Sequence, residues 1–155
     1  MWVPPETRDP ILYHHPTRKS IGYFGAVRLD DGKFVYRRET GRFNSQSFWE
    51  FLKVFQIDAA IEGHRVVAIS DNAQYHRSRL HLEWRRSHEP AFALEFLPPY
   101  SPELNPIERI WKLTRRLCLH NRYFGFLDGV IDAVESQFKK WLVPNESLHR
   151  LCANI

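Results

Sequence analysis

An α/β fold, with a sheet flanked by helices, is what three stretches of this sequence predict. Val66-Val67-Ala68-Ile69 is a short, uncharged, β-branched run that reads as a buried strand. Ile21–Leu29 and Lys33–Arg38 read as two further strands around Asp30-Asp31-Gly32. That turn is a hairpin signal, because Gly supplies a positive φ beside an Asp that tolerates one. Phe48, Phe51, Leu52 and Phe55 recur at helical spacing and make one apolar stripe, which suits a helix covering the sheet.

The size fits one domain, residues 1–155, with a real core and no room for a second of comfortable size. With 43% hydrophobic and 26% charged residues, the chain has the composition of a globular protein rather than a disordered one. No apolar run approaches the ~20 residues that span a bilayer, so no membrane role is expected. Cys118 and Cys152 form neither a disulfide framework nor a metal-ligand pattern, which points to a reducing interior. The net charge of +4 permits nucleic-acid binding without arguing for it.

In chain order, residues 1–20 are proline-rich and irregular. His14 and His15 are adjacent there, so in an extended chain their rings face opposite ways and do not make a metal pair. The hairpin follows, with Asp30 and Asp31 read as solvent-side turn residues rather than acids of a site. Asn44 or Ser45 caps the helix that ends near Phe55, and Gly63 breaks the chain before the Val66 strand. A helix is expected from about Ser78 to Ser87, then a strand from Phe92 to Leu97 that Pro98-Pro99 stops. A helix starting at Asn105 runs to about His120, with Ile107, Ile110, Trp111, Thr114, Leu117 and Cys118 on its inner stripe. A last amphipathic helix from Phe126 or Leu127 ends at Pro144, and Asn145 caps a short turn around Leu148–Cys152.

Two carboxylates stand out. Asp71 sits at the C-terminal end of the buried strand, where ligands gather in open α/β sheets. Glu108 falls in the first turn of the helix that follows the proline loop. Such a pair suits hard divalent cations. Glu108 also has a plain structural reading, since Asn105 as N-cap, Pro106 at the first position and Glu108 at the third complete a capping box. Lys112, four residues on, is placed to pair with it. His76 either orients a site group or bonds backbone at a helix start. Arg77, Arg79, Arg109, Lys112, Arg115 and Arg116 either meet phosphates or form a solvated face.

Asp71-Asn72-Ala73 with His76, followed by Leu97-Pro98-Pro99-Tyr100-Ser101-Pro102-Glu103-Leu104-Asn105-Pro106-Ile107-Glu108-Arg109-Ile110-Trp111, resembles the DDE endonuclease domain of mariner-type bacterial insertion-sequence transposases. The second motif is long and specific; the first is weaker alone. The resemblance implies a ribonuclease H-like mixed sheet flanked by helices. It implies three acids holding two Mg2+ (or Mn2+) ions that cut and rejoin DNA. Asp71 and Glu108 would be the second and third acids and metal ligands, with Asn72, His76 and Asn105 in support. The six basic residues would face DNA, both transposon ends and target. Such a protein works in the bacterial cytoplasm, on the nucleoid, as an oligomer with a DNA-recognising helix-turn-helix segment.

In the family the first acid lies on the first sheet strand, just before a segment resembling Trp2-Val3-Pro4-Pro5-Glu6-Thr7-Arg8-Asp9-Pro10. Met1 falls just after that strand, so the domain is expected to be truncated at its N-terminus. Asp9, Asp30, Asp31 and Asp58 each have a better local explanation than service as the first acid. Two readings follow. The chain is a nuclease completed by an upstream segment or a partner chain, or it is an inactive remnant that folds and binds DNA weakly.

Overall fold

The computed structural model describes residues 19–153. The irregular segment expected over residues 1–20, including Asp9, His14 and His15, lies almost wholly outside the described residues.

β1 (Gly22–Val27) and β2 (Phe34–Glu39) pair antiparallel, with Gly22 opposite Glu39 and Val27 opposite Phe34. Their turn is built as the sequence demands. Asp31 accepts from the Arg28 guanidinium and from the Lys33 backbone N–H at 3.0 Å. The Arg28 bonds, aided by that N–H, hold the Asp31 carboxyl down at about 2. Gly32 stands at φ +74, and a Cβ there would come within 2.2 Å of Asn145 O. Backbone conformation and close approach thus both require glycine.

α1 (Ser45–Ala59) starts from a reciprocal cap: Asn44 Oδ1 accepts from Ser47 N at 2.9 Å, and Ser47 Oγ accepts from Asn44 N at 3.0 Å. It buries Phe48, Phe51 and Leu52 with Phe24, Ala68 and Phe92. β3 (Val66–Ser70) and β4 (Phe92–Phe96) run parallel in register, Val66 beside Phe92 and Ser70 beside Phe96.

Between them the expected helix over 78–87 is only partly formed. Two 3-10 turns, Gln74–Arg77 and Arg79–His81, precede a shorter α2 (Leu82–His88). Local side-chain bonds compete with the regular helix here. The Ser78 hydroxyl accepts from Leu80 N at 3.2 Å, and the buried His81 ring places Nε2 3.0 Å from Tyr75 O.

α3 (Ile107–Thr114) passes into a π turn at Arg115–Leu119. The wider turn rotates the apolar face: Cys118 stays buried, while Leu117, expected on the inner stripe, is 49% exposed. α4 (Leu127–Lys140) packs Val134 and Phe138 against Phe34, Ile110 and Trp141. Asn145 caps α5 (Glu146–Ala153) through Leu148 N, so the expected short final turn is a helix that buries Leu148 and Cys152. Both cysteines are free thiols. No described helix is long and apolar enough to cross a membrane.

The expected single mixed sheet does not form among the described residues. The architecture is mixed α/β with two separate two-stranded sheets. The reason lies at two unpaired edges. Arg28 N bonds Lys33 O, so along β1 the backbone groups of Tyr23, Gly25 and Val27 point away from β2. Val66 N bonds Ala91 O and Leu97 N bonds Ser70 O, so those of Val67 and Ile69 point away from β4. No described strand joins the two edges.

Candidate active site

Asp71 follows the last residue of β3 and turns its carboxylate back on its own chain. Oδ1 lies 3.0 Å from Ala73 N, whose N–H it accepts, and 2.7 Å from His76 Nδ1. His76 is buried, at 7% exposure, and its Nδ1 also lies 2.9 Å from Ser70 Oγ and 3.2 Å from Asp71 O. Those oxygens assign the ring proton to Nδ1, as donor. Burial pushes the His76 pKa below its usual value, with Asp71 pulling the other way. One carboxylate oxygen is therefore fastened from two sides. The Asp71 side chain is still 53% exposed, and its second oxygen is open to a ligand.

Asn72 works on backbone. Its Nδ2 donates to Leu97 O, which ties the end of β3 to the exit of β4 beside the bond from Leu97 N to Ser70 O. Its Oδ1 is buried without a described partner.

Glu108 is presented by the turn that starts α3. Asn105 is extended, and its Oδ1 accepts from Ile107 N at 3.3 Å. The reciprocal half of the expected capping box is missing, because Asn105 N donates to Pro102 O at 3.0 Å instead. No described residue hydrogen-bonds or ion-pairs the Glu108 carboxylate, Lys112 included. The capping reading of Glu108 is thereby corrected: Asn105 caps, and Glu108 does not.

Asp71, His76, Asn105 and Glu108, with Ser70 and Trp111, border one cavity of about 730 Å³ between β1 and β3. Two carboxylates on that cavity fit a hard divalent cation in donor type, and Asp71 and Glu108 would hold it. No three His, Cys, Asp or Glu among the described residues group to hold a metal. Asp30, exposed in the hairpin turn as expected, and Asp58 also border the cavity; neither completes such a group.

The remaining expected residues stand elsewhere. Asn72 does not border the cavity. Arg77 lies over the Phe96 ring at 4.7 Å, and Arg79 is exposed. Arg109 donates to Leu151 O at 2.9 Å and is committed to α5. Lys112, Arg115 and Arg116 are exposed. Sequence reasoning missed Ser70, which abuts His76, and Trp111, whose ring borders the cavity although it was read only as core. The position of Ser70, directly before Asp71 on the strand end, was the signal for it.

Residues 1–131 match the DDE superfamily endonuclease family. An uncharacterized protein, y4pE/y4sA of Sinorhizobium fredii (strain NBRC 101917 / NGR234), is 36% identical over 70 residues, covering 45% of this chain and 48% of that protein. The match to that relative thus spans about half its length. By the family match, over most of its length, the chain belongs to the DDE superfamily endonucleases.

Proposed function

We propose that this chain carries two of the three acids of a mariner-type insertion-sequence transposase, which cleaves DNA and transfers the cut strand by phosphoryl transfer. The observation that carries the reading is the shared cavity: Asp71 enters it from a strand end, Glu108 from a helix start, and both keep carboxylate capacity unused by the described protein groups. Bound there, two Mg2+ or Mn2+ ions would supply Lewis acidity at the attacking and leaving oxygens. Asp71, held by Ala73 N and His76, offers a fixed oxygen donor. Glu108 offers a second from the start of α3. The chain's part is to position and orient, which is most of what phosphoryl transfer asks of a protein.

The first acid comes, in this reading, from an extended segment outside residues 19–153 that lies between β1 and β3 and makes them one ribonuclease H-like sheet. Residues 1–155 are then one incomplete domain, acting on DNA in the bacterial cytoplasm. Its partners are transposon ends, target DNA and an upstream segment or a second copy. The absence of a three-acid group among the described residues favours a second reading, an inactive remnant that only folds and binds DNA. Nicking of supercoiled plasmid with Mg2+ or Mn2+, by the chain joined to its upstream coding segment, separates them. Metal-dependent nicking abolished by Asp71→Asn and by Glu108→Gln is the expected result; no nicking, or nicking that survives both changes, overturns the proposal.

A further inference from the structure

The loop between β4 and α3 displays one side chain that neither packing nor the two carboxylates account for. Tyr100 is 101% exposed, as open as in an extended peptide, and its backbone stands at φ +58. A bulky side chain in the left-handed region is strained, and a ring held wholly in water forgoes the burial that aromatic residues normally gain.

This is not a loose loop. Both backbone polar groups of Leu97 are bonded, its N–H donating to Ser70 O and its carbonyl accepting from Asn72 Nδ2. Pro98, Pro99 and Pro102 fix three φ angles around Tyr100. Ser101 Oγ donates to Pro99 O at 3.3 Å, and Leu104 N and Asn105 N close a 3-10 turn onto Ser101 O and Pro102 O. The ring is therefore presented from a stiff mount.

The mount is also anchored beside Asp71. Leu97 is tied to the residues on either side of Asp71, and three residues of chain reach at most about 10 Å. Arg77 lies across Phe96 one residue before Leu97, so a guanidinium flanks the same strand end. A ring held open to water on a short loop anchored beside Asp71, after a strand end that a guanidinium covers, matches one class of occupant: a nucleobase with its phosphate.

Resting on the nuclease reading, we infer that Tyr100 is a base-stacking residue that receives an unpaired or unstacked nucleobase of the DNA strand entering the Asp71–Glu108 cavity. Every base has a π face, so the contact selects strand opening rather than sequence. The hydroxyl is not required. Stacking on one base is expected to change affinity about tenfold.

The test compares two DNAs with the full chain at low salt: a paired duplex, and the same duplex with one unpaired 2-aminopurine beside a nick. Wild type should bind the second about tenfold more tightly and quench its fluorescence. Tyr100→Ala should erase both effects while binding the paired duplex within about twofold of wild type. Tyr100→Phe should keep them. Tyr100→Gly should lose them although it relieves the strained φ and raises the melting temperature, which separates display of the ring from any role in folding. Equal preference in wild type and Tyr100→Ala, or loss in Tyr100→Phe as large as in Tyr100→Ala, overturns the inference alone. Wild type that binds neither DNA overturns the inference and the nuclease reading together.

Discussion

His76 Nδ1 stands 2.7 Å from Asp71 Oδ1, and the ring that reaches so exposed a carboxylate is itself buried among Phe48 and Tyr75. A neutral ring donates one proton here and costs little; a charged ring would gain from Asp71 but lose its solvation, and burial outweighs the gain. The folded pKa is therefore below the ordinary 6.5. The unfolded chain then binds the proton more readily, so stability is complete above that value and falls as pH drops through the window beneath it. The buried His81 shifts in the same direction, by burial first. Melting curves between about pH 7.5 and about pH 5.5 should show this loss, taking those limits as roughly one unit either side of the histidine value. His76→Asn should lower stability by about 1 kcal/mol at the upper end and flatten the slope without removing the share of His81. An unchanged slope would show that His76 is not the neutral buried donor described.

Glu108→Gln should leave the melting temperature of the chain nearly unchanged, because no described group holds its carboxylate. Asn105→Ala should cost about 1 kcal/mol, because it removes the acceptor for Ile107 N at the helix start. If thermal melts reverse that order, the carboxylate is a structural group and the active-site reading of Glu108 loses its support.

The hairpin, α1, β3, β4 and α4 were legible in the sequence because local chemistry and hydrophobic period agree there. Asp31, Gly32 and Asn44 each satisfy a backbone need that residue type alone announces. Legibility fails where a long-range or register effect decides. The bond from Asn105 N to Pro102 O, which dismantles the capping box, comes from a 3-10 turn that the proline motif does not betray. The π turn that exposes Leu117 leaves no mark in the apolar spacing, and the burial of His81 depends on contacts with α1. At the site, Asp71 and Glu108 were visible by motif, whereas the turning of Asn72 to Leu97 O and of Arg109 to Leu151 O was not.

That last distinction sorts the basic residues. Arg115 and Arg116 are exposed on the π turn, so each alanine substitution should reduce the slope of log affinity for DNA against log salt by about 1. Arg109→Ala should spare the slope and lower stability by about 1 kcal/mol, since its guanidinium bonds α5. Affinity should be steep in salt and poorly selective for sequence. Tight binding to one sequence, insensitive to salt, would contradict the phosphate-contact reading.

The open edges of the two sheets make the sharpest prediction. The amides of Gly25 and Val27 on β1, and of Val67 and Ile69 on β3, face away from their only described partner strands. Val67 and Ile69 are also 50% and 58% exposed, an unusual state for large apolar residues of a strand. Unpaired edges of this kind invite a further strand. A strand seated between them would be antiparallel or parallel to each by its own direction, and would bring a side chain to the level of Asp71. In the 155-residue chain these four amides should exchange with solvent far faster than those of Ala26 and Ala68, whose N–H groups point into the existing ladders. Extending the chain by its upstream coding segment should slow all four together, raise the melting temperature, and produce Mg2+-dependent nicking where the shorter chain shows little. Replacing the acid proposed to come from that segment by its amide should abolish nicking while keeping the protection. Protection already present in the shorter chain, or robust nicking by it that Asp30→Asn or Asp31→Asn removes, would show that the missing acid lies within these 155 residues.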